Sequence, residues 1–479
     1  MSERLLRRLP SPLVLFLVSL TAVAVALAFL KGLQDPDFFW HYMDGRYLAM
    51  TGSIPTADPF SFTYPGGHRT PHEWLSELLI YALVSAPGPN VALALFALAL
   101  PIGFAVLALA LRAHRVPTLV ISLPLVLAAA VAIPYATVRP QVLSWMLLAV
   151  LLALLLRLRS DRPARSLWLI PLFALWANVH GLYAVGLAVV GWYLLFTLLG
   201  RTPMAGARRW MLGAAIAAGL ACMLTPEGPA GILYPLRFLN AGDWGLANIP
   251  EWRSPNFHDA VQLPLLTLIV AVAVSGGRGA PGWQRGLAYI GIAMALVANR
   301  NAPVAAILAV PSLALATAGW LASRATSSVS RRDAVRRRLL EVAVAAVVVI
   351  GALSTLPANA HGVVLGRYPV AAIDRLAVVD ASARVLAEYG WGGYVIYRLY
   401  DHGGRVFVDG RNDLYPQELL DQYTAARNAD PGWQQILRRY DVQAILFKPD
   451  ATLVKGPAQT AGWCETYRDE EQVLLQPCG

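Results

Sequence analysis

The sequence predicts a mainly α-helical, polytopic membrane protein that ends in a small soluble α/β domain. Of its 479 residues, 57% are hydrophobic and 14% are charged, and the mean hydropathy is +0.52. Soluble domains contain about 25% charged residues, so this composition excludes a wholly soluble protein, a disordered chain and a disulfide scaffold. The long apolar runs all lie before residue 357, and a more polar segment follows them.

The apolar runs set the expected number of membrane spans. A helix needs about 20 apolar residues to cross the hydrocarbon core of a bilayer. Eleven runs approach this length, which predicts a helical bundle with about 11 transmembrane helices. The runs are Pro12–Leu30, Val91–Leu111, Pro117–Pro134, Gln141–Leu156, Leu167–Val179, Leu182–Leu199, Trp210–Leu224, Val261–Val274, Leu287–Ala298, Ala302–Leu321 and Leu340–Leu356.

The basic residues indicate the orientation. With the N terminus in the cytoplasm, the inner segments hold 20 Lys and Arg residues and the outer loops hold seven. This excess is the positive-inside pattern, and it accounts for the net charge of +10 without nucleic acid as a partner. Arg4, Arg7 and Arg8 before the first run also fit a secretory signal peptide. The run is long enough to span, which favours an uncleaved anchor.

Two domains are expected. Residues 1–356 form a transmembrane domain with outer loops at 31–90 and 225–260, and the first loop contains a predicted surface helix at Glu73–Val84. Residues 357–479 form an extracytoplasmic α/β domain. Strands are predicted at Tyr394–Arg398, Arg405–Val408 and Ala444–Phe447, and helices at Pro416–Ala426 and Trp433–Tyr440. Cys464 and Cys478 flank a predicted hairpin, where a disulfide is plausible outside the cytoplasm.

Acidic residues concentrate in the outer loops, where orientation does not require them, so we expect chemistry at this face. Asp35-Pro36-Asp37 opens the first loop, and a helix that starts at Asp37 places His41 on the same face. Carboxylates beside an imidazole suit general-base catalysis or divalent-metal binding. The alternative is that Asp35 or Asp37 only caps a helix. Further polar residues of this loop are Arg46, Asp58, His72 and Glu73.

A second group lies at the outer ends of later spans. A guanidinium matches phosphate oxygens, so a lipid-phosphate ligand would explain Arg139 and Arg300, whereas interaction with lipid headgroups is the alternative. His180 fits either a ligand or a hydrogen-bonded structural histidine. In the C-terminal domain, the glycines of Tyr389–Tyr394 and Asp409–Asp413 indicate turns.

These motifs resemble a known family. The chain resembles bacterial polytopic proteins that are similar to GT-C glycosyltransferases. Besides the Asp35–Asp37 motif, the resemblance is carried by Trp40-His41, Gly52–Pro55, Asp58–Ser61, His72–Trp74, Arg139–Gln141, Trp176–Gly181, Arg300–Asn301 and Asp409–Asp413. That superfamily includes protein O-mannosyltransferases and aminoarabinose transferases. The resemblance implies a polyprenyl-phosphate-linked sugar donor, Asp35 or Asp37 as the catalytic base, and Arg139 and Arg300 as ligands of the departing lipid phosphate.

The predicted function is therefore that of an integral membrane glycosyltransferase. It would move a hexosyl or pentosyl group from a polyprenyl-phosphate carrier to a glycan, lipid or protein acceptor, on the extracytoplasmic face of the bacterial cytoplasmic membrane. The alternative is a non-enzymatic transporter or assembly subunit for lipid-linked glycans. The predicted catalytic residues are Asp35 and Asp37, which with His41 are also the predicted ligands if Mg²⁺ or Mn²⁺ takes part. The predicted substrate-binding residues are His41, Arg46, Asp58, His72, Glu73, Arg139, His180 and Arg300.

Overall fold

A computed structural model of the protein describes residues 10–234, 243–323, 331–354 and 367–478. These residues form two compact units. The helical unit contains the described residues of Met1–Lys31, Asn90–Pro235 and Ile249–Gly362. The α/β unit contains those of Gly32–Pro89, Leu236–Asn248 and Val363–Gly479. The predicted domain boundary at 356 and 357 lies outside the described residues.

The helices of the two units are numbered together in chain order. They are α1 Pro12–Lys31, α2 Phe38–Thr51, α3 Trp74–Ser85, α4 Pro89–Ala113, α5 Thr118–Ala132, α6 Pro140–Arg157, α7 Leu169–Val179, α8 Tyr183–Leu198, α9 Arg208–Ala221, α10 Asp243–Asn248, α11 Leu263–Ser275, α12 Gly282–Val297, α13 Ala302–Ala322, α14 Arg331–Ser354, α15 Val370–Asp380, α16 Gly392–Leu399, α17 Gln417–Asn428, α18 Trp433–Arg439 and α19 Pro457–Thr460. The strands are β1 Arg384–Ala387, β2 Arg405–Val406, β3 Ala444–Phe447, β4 Trp463–Arg468 and β5 Val473–Pro477.

Five helices in the described part of the chain are long and apolar enough to cross a membrane, which makes this a multi-pass membrane protein. They are Pro12–Lys31, Pro89–Ala113, Thr118–Tyr135, Pro140–Arg157 and Asn299–Ala322. Each of the 11 predicted runs overlaps a helix. The helices on the other six runs are shorter or more polar, so the count of 11 spans stays a prediction.

The helical unit has a buried centre and an apolar exterior. Helix α13 is buried along most of its length and packs against α5 and α12, while α1 packs against α14. Large apolar side chains are nevertheless exposed on the outward faces, among them Val18, Leu123, Ile216 and Val274. Such a surface is unfavourable in water, and a lipid environment explains it.

A five-stranded mixed sheet organises the α/β unit, in the order β2-β1-β3-β5-β4. Strand β1 runs parallel to β2 and β3, whereas β5 is antiparallel to β3 and β4. Helices α17 and α18 confirm the two helices predicted in this segment. A disulfide joins Cys464 to Cys478 across the β4–β5 hairpin, as the sequence indicated.

The prediction of a strand at Tyr394–Arg398 is wrong, because these residues lie in α16. Their aromatic and β-branched content suggested a strand, but the apolar residues follow the helical period. Tyr394, Val395, Ile396 and Leu399 are all buried. Tertiary packing of this one face outweighs the weak β-propensity of the individual residues.

The first predicted outer loop joins the edge of this sheet. The backbone N–H of Phe62 donates to Val406 O at 3.1 Å, and Val406 N–H donates to Phe60 O at 3.3 Å. These bonds extend the sheet beyond β2 with a segment that lies far away in sequence. Helix α2 packs against α16, and α3 packs against α2. The C-terminal segment therefore positions the acidic residues of the first loop.

Candidate active site

The Asp-Pro-Asp motif forms the turn that starts α2. The Asp35 carboxylate accepts a hydrogen bond from the backbone N–H of Asp37 at 3.0 Å. The Asp37 carboxylate accepts one from the indole N–H of Trp40 at 3.1 Å. Asp35 is buried, whereas Asp37 caps the N terminus of α2 and is partly exposed. The two predicted catalytic carboxylates thus have different surroundings, and Asp37 is the more accessible of the two.

Both glycine motifs of the C-terminal segment pack against this turn. A Cβ atom at Gly410 would lie 2.5 Å from Asp37 Oδ1 and 2.8 Å from Trp40 Nε1. A Cβ at Gly393 would lie 2.9 Å from the Trp40 backbone nitrogen. The missing side chains therefore permit a close approach of the backbone, in addition to the turns that the sequence suggested.

An aromatic cluster also packs against the start of α2. Phe39 packs edge-on against Tyr368 and Tyr394, with ring centroids 4.9 and 5.0 Å apart. The Tyr368 hydroxyl donates to the backbone carbonyl of Asp35. Such aromatic pairs add about 0.5–1.5 kcal/mol beyond the area they bury, so they help to fix the Asp35–Asp37 turn.

His41 faces carboxylates other than those predicted. Its Nδ1 lies 3.5 Å from Glu73 Oε2 and 3.6 Å from Glu77 Oε1. Glu73 immediately precedes α3 and Glu77 lies four residues later, in the first turn of the helix, so both carboxylates lie on the same side of it. In the described residues, His41, Glu73 and Glu77 form a group that could hold a metal ion. The predicted metal set of Asp35, Asp37 and His41 is not the one that the structure assembles around His41.

Arg69 and His72 surround the same group. Arg69 contacts Asp44 Oδ1 at 2.5 Å through Nη1 and Glu77 Oε1 at 2.6 Å through Nη2. His72 Nε2 lies 3.2 Å from Glu73 Oε1, and its Nδ1 lies 3.0 Å from the carbonyl oxygen of Thr70. The result is a buried cluster of three carboxylates, one guanidinium and two imidazoles.

The surroundings shift the titration of this cluster. Burial alone would raise the pKa of Glu77, but the Arg69 guanidinium and the His41 ring outweigh it and the pKa is lowered. Burial would lower the pKa of His72, whereas the Glu73 carboxylate raises it to about 8. Burial raises the pKa of Asp44 even though Arg69 acts in the opposite direction. Glu77 and His72 are therefore charged at neutral pH.

A second buried network links Asp58 to the C-terminal segment. Arg411 Nη2 lies 2.9 Å from Asp58 Oδ1 and 2.6 Å from Asp409 Oδ2. The Tyr415 hydroxyl donates to Asp409 Oδ2 at 2.7 Å. Asp58 also accepts the backbone N–H groups of Phe60 and Ser61, at 3.0 and 3.1 Å. Asp58 therefore has a structural environment, although it was predicted to bind substrate.

The remaining predicted residue of the first loop, Arg46, pairs with Asp401 at 2.8 Å on the surface of the α/β unit. Its guanidinium joins α2 to the short 3₁₀-helix Tyr400–His402. Because both side chains are partly exposed, this pair contributes about 1 kcal/mol or less. The contact indicates a connecting role between two elements of the unit.

The helical unit contains a separate polar group. Arg139 lies just before α6 and contacts Glu251 at 3.3 Å, and the Arg300 guanidinium lies 5.0 Å from the centroid of the Trp252 ring. Burial alone would raise the pKa of Glu251, but Arg139 and then Arg300 lower it. The structure thus brings the two predicted phosphate ligands to the same carboxylate.

His180 follows the last residue of α7 in the helical unit and caps the C terminus of that helix. Its Nδ1 accepts a hydrogen bond from the backbone N–H of Leu182 at 3.0 Å, and the residue is buried. The neighbouring Asn178 amide donates to the carbonyl oxygens of Ala174 and Leu224, both at 2.8 Å. These bonds satisfy the end of the helix, in agreement with the structural interpretation of this histidine.

The Arg411 network predicts a large effect on stability. Arg411→Met leaves two buried carboxylates without their guanidinium, so we expect a loss of about 3–5 kcal/mol in the free energy of unfolding. The matched control is Arg384→Met, because Arg384 pairs with Asp441 and the two side chains are 47% and 71% exposed. It should cost about 1 kcal/mol or less. Denaturant titration of the purified chain in detergent measures both values, and equal losses would contradict the assignment.

The close approach at Gly410 predicts a second effect. In Gly410→Ala the new methyl group overlaps Asp37 and Trp40, so we expect overpacking to cost about 1–3 kcal/mol. Gly390→Ala is the control, because its Cβ meets Pro36 at an ordinary 3.5 Å. Thermal unfolding and the quenching of tryptophan fluorescence test the pair. Identical behaviour of the two variants would show that Gly410 does not press on the Asp37 turn.

Several proteins of known structure have a similar fold. No protein-family model matches the sequence, and no curated protein matches it significantly. Among solved structures, ArnT from Cupriavidus metallidurans bound to undecaprenyl phosphate matches with a TM-score of 0.53 and 15% identity, over 97% of this chain and 96% of that chain.

An oligosaccharyltransferase from Archaeoglobus fulgidus, tethered with an acceptor peptide, matches with a TM-score of 0.59 and 13% identity, over 91% of this chain and 69% of that one. AglB from the same organism, in complex with an inhibitory peptide and a dolichol-phosphate, matches with a TM-score of 0.56 and 12% identity over the same shares. The chain is thus similar in fold to ArnT and to the two archaeal structures over nearly its whole length, and the similarity of fold that the sequence predicted is confirmed.

Proposed function

We propose that this protein is an integral membrane glycosyltransferase that transfers a sugar from a polyprenyl-phosphate carrier to an acceptor hydroxyl. The observation that carries the proposal is the fold match over 97% of the chain to ArnT, a protein solved with undecaprenyl phosphate. The charge asymmetry of the sequence supports a reaction on the extracytoplasmic face of a bacterial cytoplasmic membrane. The acceptor class is a glycan, a lipid or a protein.

The reaction is a substitution at the anomeric carbon of the donor sugar. A base removes the proton of the acceptor hydroxyl, and the acceptor oxygen forms a bond to that carbon. The bond between the carbon and the phosphate oxygen breaks, and its electron pair leaves with the polyprenyl phosphate. The base then releases the proton to water, so that a new glycosidic bond and a lipid phosphate are the products.

Asp37 is the carboxylate that we assign as the base. It is more exposed than Asp35, whose carboxylate accepts the backbone N–H that starts α2. The Trp40 indole fixes the Asp37 side chain through one oxygen atom, which keeps the carboxylate oriented. Asp35 then acts as a positioning residue because it shapes the turn from which Asp37 projects.

Arg139 and Arg300 are assigned to the phosphate of the donor. Both guanidinium groups act on Glu251, so the three residues together carry one net positive charge. A guanidinium can donate two parallel hydrogen bonds to phosphate oxygens, and positive charge stabilises the phosphate as it departs. The Trp252 ring beneath Arg300 supports the orientation of that side chain.

The assignment of the base predicts a selective loss of activity. Asp37→Asn keeps the shape of the side chain but removes its basicity, so transfer should fall about 100-fold or more. Asp35→Asn retains an acceptor oxygen for the turn, so sugar transfer by this variant should fall much less. Transfer of radiolabelled sugar to acceptor, together with donor binding, measures both variants, with Asp401→Asn as the control.

Unchanged transfer in both Asp35→Asn and Asp37→Asn would exclude the enzyme as proposed. If donor binding also persisted, the protein would be a transporter or assembly subunit for lipid-linked glycans. A loss confined to Asp35→Asn would instead move the base to that residue.

The phosphate assignment predicts a loss of lipid binding. Each arginine replaced by glutamine should weaken binding of added undecaprenyl phosphate about tenfold or more, because a hydrogen bond to a charged group contributes about 1.5–3 kcal/mol. Native mass spectrometry of Arg139→Gln, Arg300→Gln and the double variant measures the bound fraction. Arg253→Gln is the matched control in the same part of the chain, and equal binding by all four variants would refute the assignment.

A further inference from the structure

The cluster around His41 has no part in the proposed transfer. His41 is 2% exposed, and its Nδ1 makes no hydrogen bond. This nitrogen points at two carboxylate oxygens, from Glu73 and Glu77, at 3.5 and 3.6 Å. One ligand atom from each of the three residues lies within 4.8 Å of the others. A buried polar atom without a hydrogen bond is costly, so this arrangement needs an explanation.

The distances suggest what occupies the space between these atoms. A hydrogen bond from nitrogen to oxygen is about 2.7–3.2 Å long, which is shorter than both contacts of His41 Nδ1. Ligand atoms that share a tetrahedral Zn²⁺ at about 2.1 Å are about 3.4 Å from one another. The separations of 3.5 and 3.6 Å are close to this value. The nitrogen is therefore spaced from each of the two oxygens as ligands of a common cation are.

The ligand types indicate the class of metal. One imidazole and two carboxylates suit Zn²⁺ and similar transition metals, whereas Mg²⁺ and Ca²⁺ prefer oxygen atoms alone. We propose that His41, Glu73 and Glu77 bind one divalent transition-metal ion of the Zn²⁺ class, which joins α2 to α3. The neighbouring His72 contacts Glu73 through Oε1, the oxygen that does not face His41, and Arg69 contacts Glu77 through Oε1, the oxygen that does. Such outer-shell partners orient the ligands of metal sites.

This site goes beyond the proposed sugar transfer and does not depend on it. The ion would tie α2, which starts at the Asp37 turn, to α3 within the α/β unit. Its role is thus to hold a helix in place, and no step of the transfer is assigned to it. Failure of metal binding would leave the transfer proposal intact, and failure of transfer would leave the metal site intact.

The experiment uses the full chain, purified in detergent without a histidine tag and stripped of metal with a chelator. Co²⁺ is added as the probe, and the visible absorption bands of four-coordinate Co²⁺ are recorded. Elemental analysis after exposure to Zn²⁺ and dialysis gives the stoichiometry. We expect about one ion per chain and a higher unfolding temperature with metal than without it.

Variants then locate the ion. His41→Gln and Glu73→Gln should both abolish the Co²⁺ bands and the retained Zn²⁺. His68→Gln is the matched control, because His68 lies on the surface of the same loop. Absence of bound Zn²⁺ and Co²⁺ in the wild-type chain would overturn the site, and so would binding by His41→Gln equal to that of the wild type.

A measurement on the wild-type chain guards against misfolded variants. X-ray absorption at the zinc edge should show one imidazole nitrogen among oxygen ligands. A shell of oxygen atoms without an imidazole would mean that the ion binds elsewhere, and it would overturn the proposal whether or not the variants fold.

Discussion

The guanidinium of Arg411 joins the distant segments from which the α/β unit is built. Asp58 approaches it from the first predicted loop and Asp409 from the C-terminal segment, at 2.9 and 2.6 Å. All three side chains are almost completely buried. Burying such charges costs several kcal/mol per ion, which is recovered only when the partners are in place. This network therefore favours a single arrangement of the loop against the sheet, and the Asp37 turn depends on that arrangement.

Much of the architecture could be predicted from residues close together in sequence. Apolar runs predicted the position of each α-helix that the structure describes in the helical unit, because lipid requires continuous apolar length. Strand β3 and helices α17 and α18 also follow from local patterns. Helix α16 does not, since its residues favour strands and the helix is selected by tertiary packing, against α2 among other elements. The pairing of Ser61 with Val406 could not be predicted either, because it joins residues from opposite ends of the chain.

The candidate site was predictable to a smaller degree. The spacing of Glu73 and Glu77 already places both carboxylates on one helical face, and this signal could have identified Glu77 beside the predicted Glu73. That His41 would turn towards them depends on how α2 packs against α3, which no local pattern encodes. Gly410 was interpreted as a turn residue, whereas the structure shows that its missing side chain also makes room for Asp37. The contact between Glu251 and Arg139 could not be predicted either, because it joins residues that are 112 positions apart in sequence.

The α/β unit is built from segments that are far apart in sequence, and this restricts how many times the chain can cross a bilayer. Asp58 and Arg411 touch, so the segments that carry them must face the same aqueous compartment. A chain that leaves one side and returns to it crosses an even number of times. The ten predicted runs between these segments obey this parity, as do the four long apolar helices found there in the described residues. Any revised topology that adds or removes a single crossing would place the two charges on opposite sides of the lipid.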